Sequence, residues 1–228
     1  MSTFQGNSSL GHIRGEVARN TVLRNTFMLL ALSMVPTVLG AWFGIATGAM
    51  SYMRGGLGFI AVLAIMIGFI FAIEKNKTSA AGVPILLGFT FFMGIVMSSL
   101  LSLVLSKSDG VQIVMTAFGS TAAVFAGMGV LAFTIKKDLT SWGPMLFAAV
   151  IALLVASVVN IFVGSSAMMM AISALATVVF SLFLLYDLKR VVDGGETNYI
   201  SATLAIYLDL VNIFQNLLAL FGMGSSRD

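Results

Sequence analysis

The sequence predicts an all-α polytopic membrane protein with seven transmembrane helices. Three observations carry that reading. Only 9% of the residues are charged and 59% are hydrophobic, whereas a soluble domain, whose surface must be wetted, is about a quarter charged. The mean hydropathy is +1.04. The charges also fall in short clusters between long uncharged runs, each able to cross ~30 Å of hydrocarbon at ~1.5 Å per helical residue. These runs are continuously apolar and lack the in/out alternation of a β-barrel strand.

A polar arm, residues 1–20, comes first. It has no signal-peptide core ahead of the first long apolar segment, which is therefore read as a retained helix. The single histidine, His12, lies in this arm and reads as a solvated bystander. Residues 21–228 form one membrane domain. Its first span, about 26–48, contains Pro36, which should kink it and leave a carbonyl for neighbours or water to meet. Spans two to four, about 56–73, 83–106 and 111–135, are the next uncharged runs. As one helix, the run 139–186 would reach roughly 70 Å, more than twice the hydrocarbon thickness. It must fold back, and Gly164-Ser165-Ser166 is the turn signal, giving spans of about 142–163 and 167–190. The last span, about 201–222, follows the stop signal Asp193-Gly194-Gly195.

Of the twelve Lys and Arg, Arg14, Arg19, Arg24, Lys75, Lys77, Lys136, Lys137, Lys189 and Arg190 fall on the side of the N-terminus. Only Arg54, Lys107 and Arg227 fall on the other. The positive-inside rule places the N-terminus in the cytoplasm. Seven full spans place the C-terminus outside, whereas a re-entrant last segment would return it. The net charge of +3 is scattered in ones and twos between apolar runs, which describes membrane topology and not a nucleic-acid surface. The chain has no cysteine, which excludes disulfides, thiolate catalysis and Cys-ligated zinc.

Gly40, Gly44 and Gly48 form one small-xxx-small stripe, and Gly119, Ala123 and Gly127 another. Both read as close helix approach inside the bundle, with dimerisation as the alternative. The fifteen Met read as soft packing.

Chemistry concentrates in two acids. Asp209 lies in the middle of an otherwise uncharged span, and an ionised carboxylate facing lipid is expensive. At 100° per residue, Asn212 and Asn216 share its face within about 60°. Such a stripe cannot face lipid, so the last helix should be central, with the amides either lining a path or joining helices. Asp187 ends the preceding span. Both acids should lie roughly 9–12 Å inside the bundle from the cytoplasmic end, where two neighbouring carboxyls resist joint ionisation and can share a proton as a pH-sensitive latch. With both ionised, they offer the oxygen ligands that Ca²⁺ prefers. The alternative is that Asp187 merely pairs with Lys189 or Arg190 at the helix end.

A family resemblance bears on these residues. Val22-Leu23-Arg24-Asn25-Thr26, Phe118-Gly119-Ser120-Thr121, Lys136-Lys137-Asp138-Leu139, Asn160-Ile161-Phe162, Leu185-Tyr186-Asp187-Leu188 and Tyr207-Leu208-Asp209-Leu210-Val211-Asn212-Ile213-Phe214 together resemble the Bax inhibitor-1 family of membrane proteins. Gly194-Gly195-Glu196-Thr197-Asn198-Tyr199-Ile200 resembles its bacterial branch of FtsH-protease modulators. The resemblance implies seven helices with the last central, a bacterial inner-membrane location, and a pH-dependent calcium leak latched by the acids at Asp187 and Asp209. An arginine credited with gating in some relatives falls near Asn76. Lys75 or Lys77 is then the candidate partner for the gate, although lysine lacks arginine's two-pronged geometry.

Three functions follow as expectations. The first is a cation leak with Asp187 and Asp209 as pH sensor and ion site, Ca²⁺ or protons as the permeant ion, and no resident cofactor. The second is a regulatory protein that binds a membrane-anchored AAA protease of the FtsH type, with the polar arm as its handle. The third, an intramembrane protease, lacks its constellation: Tyr186-Asp187 resembles half of an aspartyl motif, but Tyr207-Leu208 stands where Gly-x-Gly should precede Asp209. No membrane histidine is present for a Ser/His dyad. The chain is therefore expected not to be an enzyme.

Overall fold

In the computed structural model, backbone is described for residues 3–53 and 56–224, and side chains for 16–51, 57–58 and 60–224. The side chains of His12 and Arg14, and Arg54, Arg227 and Asp228 entirely, lie outside the described residues.

Seven α-helices follow one another with short connections: α1 (Thr3–Thr47), α2 (Gly56–Asn76), α3 (Gly82–Leu105), α4 (Gly110–Thr134), α5 (Trp142–Val163), α6 (Ser166–Val192) and α7 (Tyr199–Gly224), with one 3₁₀ turn, Ala49–Met53, after α1. Each of α2 to α7 matches a predicted span to within a few residues, and α1 contains the first span but begins far ahead of it. Among the described residues, six helices, α1 and α3 to α7, are long and apolar enough to cross a membrane by length and composition, and the chain is a polytopic membrane protein.

The polar arm is not a separate element. From Thr3 onward it is the same helix as the first span, and α1 continues unbroken through Pro36. A helix anchored in the bundle extends without a new nucleation step. Beside Pro36 the Ser33 and Thr37 hydroxyls donate to the carbonyls of Leu29 and Ser33.

The predicted turns are built from the expected residues. Gly164 takes the left-handed conformation (φ 65°) that ends α5, and Ser165 caps α6 by accepting from the Met168 N–H. After α6, Gly194 again has positive φ (78°), and the N–H groups of Gly195 and Glu196 donate back to the Arg190 carbonyl. α7 starts at Tyr199, two residues ahead of the predicted Ser201, because the Asn198 side chain accepts from the N–H groups of Ile200 and Ser201.

Among the described residues, α7 is the axis of the bundle, touching α1, α2, α3, α4 and α6, whereas α5 packs on α6 alone. At its start Asn198 donates to the Lys77 carbonyl in the α2–α3 turn. At its end the Lys107 ammonium, in the α3–α4 turn, donates to the Gly222 carbonyl. Over about 39 Å, α7 therefore runs the full height of the bundle and is not re-entrant.

The first glycine stripe packs as expected at Gly40 and Gly44, whereas Gly48 lies past the end of α1 at positive φ (63°) and faces Ser51 of its own turn. α1 and α3 cross so closely that a Cβ on Gly40 would lie 2.0 Å from the Phe91 carbonyl oxygen, and one on Gly94 2.1 Å from that of Thr37. The second stripe corrects the expectation. Gly119, Ala123 and Gly127 are exposed, with nothing within 4 Å of a Cβ on either glycine. α4 instead turns Ile113, Ala117, Thr121 and Ala132 to the core.

Tyr207, fully buried, ties α7 to both of those crossing helices. Its hydroxyl lies 2.8 Å from that of Thr37 on α1 and 3.4 Å from the Thr90 carbonyl on α3, with one proton to share between these two acceptors. Its ring meets Phe89 edge-on at 6.2 Å. Tyr207→Phe is expected to cost about 1 kcal/mol, or about 2–4 °C of Tm for a chain of this size. Thermal unfolding in detergent tests this, and an unchanged Tm would show that the hydroxyl bonds contribute nothing.

Candidate functional site

α6 and α7 run antiparallel and pack along each other, joined by a short turn that also carries the basic end of the bundle, where Lys77 and Arg190 sit. Asp187 lies about 8 Å from the end of α6 and Asp209 about 15 Å into α7 along their own axes. Asp209 is deeper than predicted because α7 starts earlier. The carboxyl groups nonetheless come within hydrogen-bonding reach of each other. Asp187 is 9% exposed and Asp209 5%. The Oδ2 atom of Asp209 is buried with no N–H or O–H of the described residues reaching it.

The pair does not sit in a sealed core. A cleft of about 410 Å³ opens at the basic end between α2, α6 and α7. Asp187 is part of its wall, together with Ala202, Leu204, Ala205 and Leu208 of α7, while Asp209 stands outside the lining. The rim is a chain of ion pairs and hydrogen bonds. Lys77 pairs with Glu74 at 2.8 Å, and the other Glu74 oxygen accepts from the Ser201 hydroxyl at 2.8 Å. Lys77, in the α2–α3 turn, has its ammonium pKa raised by the hydrogen bond and charge of Glu74. Arg190 reaches Glu196 at 3.3 Å and Asp187 at 3.6 Å, with its guanidinium 5.7 Å from the centre of the Tyr186 ring.

Asp187 thus has Asp209 on one side and Arg190 on the other. Lys189 points elsewhere, to Asp193 at 2.8 Å. The amides behave differently from what the stripe implied. The side-chain nitrogens of Asn212 and Asn216 donate to the carbonyls of Leu208 and Asn212, one turn back on α7 itself. Each is half-buried, and neither nitrogen joins α7 to a neighbouring helix. Of the two lysines offered as gate partners, Lys77 borders the cleft and Lys75 is exposed. The sequence did not single out Glu74, and it marked Glu196 only within a family motif and Ser201 only as a helix start. The only signal for Arg190 was its i,i+3 spacing from Asp187.

Among the described residues no three Asp, Glu, His or Cys side chains converge as a metal site. Two carboxyls supply fewer oxygens than the six to eight that Ca²⁺ takes. The arrangement suits a shared proton, or a cation in passage that keeps part of its water.

The sequence matches the family model described as inhibitor of apoptosis-promoting Bax1 over residues 19–226. Among its relatives, an uncharacterized protein of Neisseria meningitidis serogroup A is 40% identical over 89% of this chain and 90% of that one. An uncharacterized membrane protein of Vibrio cholerae is 36% identical over 92% of each. The Escherichia coli K12 protein named modulator of FtsH protease YccA is 34% identical over 93% of this chain and 94% of its own. With the match covering the membrane domain from α1 to α7, the aspartate pair included, this chain belongs to the Bax inhibitor-1 family.

Proposed function

We propose that this protein is a proton-responsive cation leak of the bacterial inner membrane, latched by Asp187 and Asp209, with its basic end toward the cytoplasm. The observation that carries the reading is the buried meeting of the two carboxyls. Such a contact is attractive only with a proton between them, and becomes repulsive when both ionise. A shared proton is also the partner that the geometry leaves for Asp209 Oδ2. Loss of that proton pushes α6 from α7 and extends the cleft inward past Asp209. Flux should therefore rise as pH rises. The orientation rests on the clustering of basic residues at that end, and Ca²⁺ or H⁺ enters as cargo.

Proteoliposomes with an internal calcium indicator test the proposal. The wild type should pass Ca²⁺ faster at higher pH, and Asp187→Asn/Asp209→Asn should lose that dependence. Equal pH responses in the two proteins would end the latch reading, and the absence of flux from wild-type vesicles would end the leak reading.

A second reading is favoured by the relative named as a modulator of FtsH protease. In it the protein restrains a membrane-anchored AAA protease of that type. α1, about 68 Å long by its 45 residues, outreaches ~30 Å of hydrocarbon and so extends past it as a handle. Co-purification with the protease and its turnover of a substrate, each with and without residues 1–20, decide this. No binding and unchanged turnover would rule it out.

A further inference from the structure

The rim of the cleft contains a feature that the latch does not use. Arg190 stands between two acids held at fixed positions: Asp187 in the cleft wall, 3.6 Å away, and Glu196 on the α6–α7 turn, 3.3 Å away. Glu196 cannot drift, because its N–H and that of Gly195 are bonded to the carbonyl of Arg190 itself. Its second oxygen accepts from the Asn198 N–H, and Asn198 is tied to the α2–α3 turn. The guanidinium can therefore swing between the two acids without any backbone movement. It is 41% exposed and Asp187 only 12% by side chain, so the arginine lies on the solvent side of the acid.

We propose that Arg190 is the charge filter of this cleft, a positioning and selectivity residue that covers Asp187 and repels cations until its side chain moves fully onto Glu196. The inference deepens the leak reading and rests on it. Every charged group facing the cleft enters the balance: Glu74 and Lys77 neutralise each other across the rim, Glu196 and Asp187 compete for Arg190, and Asp209 lies behind Asp187. Among the described residues, Arg190 is thus the cation of the cleft wall that is paired with Asp187, Lys77 being paired with Glu74. Removing it turns the entrance acidic.

The chain has no cysteine, so Ala205→Cys, in the cleft wall, gives a single reporter thiol. Its modification rates by a cationic and by an anionic methanethiosulfonate reagent, in nanodiscs, report the local potential without reference to flux. In the Arg190→Gln background the cation-to-anion rate ratio should rise about tenfold, the order expected for loss of one partly screened unit charge. Arg190→Lys, which keeps the charge, should leave the ratio near wild type. An unchanged ratio in Arg190→Gln, or an equal shift in Arg190→Lys, overturns the filter. In vesicles, Arg190→Gln should speed Ca²⁺ flux severalfold. Glu196→Gln, which leaves the arginine only Asp187 to bind, should slow it. Vesicles in which even the wild type carries no cation overturn the leak reading by a separate measurement, while the thiol ratio still judges Arg190.

Discussion

Gly40→Ala and Gly94→Ala should each cost the protein much of its stability, with the largest loss from the pair together. A methyl on Gly40 would sit 2.0 Å from a backbone oxygen of α3, and one on Gly94 2.1 Å from a backbone oxygen of α1. Real Cβ atoms do not come that close, and neither obstacle is a flexible side-chain tip. α1 and α3 must separate, and with them goes the hydroxyl cluster of Thr37, Tyr207 and Thr90 that seats α7. Overpacking in a well-filled core costs about 1–3 kcal/mol, sometimes more, and total stabilities run to about 5–15 kcal/mol. Thermal unfolding and the monodisperse fraction in detergent would show the loss. Gly119→Ala and Gly127→Ala are the control. Their Cβ positions are open, and alanine is the better helix former by about 0.5–1 kcal/mol, so stability should hold or rise. If Gly40→Ala melted with the wild type, the close crossing of α1 and α3 would be wrong.

The aspartates predict a contrast between two kinds of single substitution. An asparagine at 187 or 209 places an amide N–H where the shared proton would be, and that N–H can donate to the remaining carboxylate at any pH. The latch stays closed, so flux should be low and indifferent to pH. An alanine at either position removes the contact. The remaining acid has no carboxyl to share a proton with, so flux should be high and equally indifferent to pH. Both substitutions therefore abolish the pH response, from opposite ends. Asp187→Ala should open more than Asp209→Ala, because it also leaves Arg190 only Glu196 to pair with and so clears the cleft entrance. The check is calcium entry into vesicles at several pH values for the four single variants. Asn and Ala variants with the same flux would mean that the pair does not act as a hydrogen-bonded latch.

Much of this protein was legible in the sequence because hydrocarbon excludes charge. Gaps between charges marked the helices, and the predicted 83–106 and 142–163 stand beside observed helices Gly82–Leu105 and Trp142–Val163. Turn chemistry was legible too, since Gly164 and Gly194 occupy the positive-φ positions that their neighbours cannot. The central place of α7 followed from Asp209, for which lipid was no acceptable surrounding. The start of α7 was missed by two residues because the cap on Asn198 outreached the hydroxyl of Ser201 as a signal.

Which face of each helix meets which neighbour was not legible. In water, apolar periodicity separates core from surface. In a bilayer both sides of a helix are apolar, and that contrast fades. Hence two glycine stripes of the same spacing met different fates, one locked against α3 and the other open on α4. The amides of Asn212 and Asn216, with a face in common with Asp209, satisfied themselves on their own helix, as a polar group in a dry setting does when a carbonyl one turn back lies within reach.

By itself, then, the chain determined the number of helices, most of their limits though not the start of α1, the central place of the last one and the two acids worth following, because each of these answers to the cost of placing charge or broken backbone in hydrocarbon. Only the folded bundle decided that those acids touch, that Arg190 bridges one of them to Glu196, and that Tyr207 fastens the axis to α1 and α3. The first and last are distances between different helices, set by how closely those helices approach, and the Arg190 bridge depends on how the turn after α6 folds back, so spacing along the chain does not encode them.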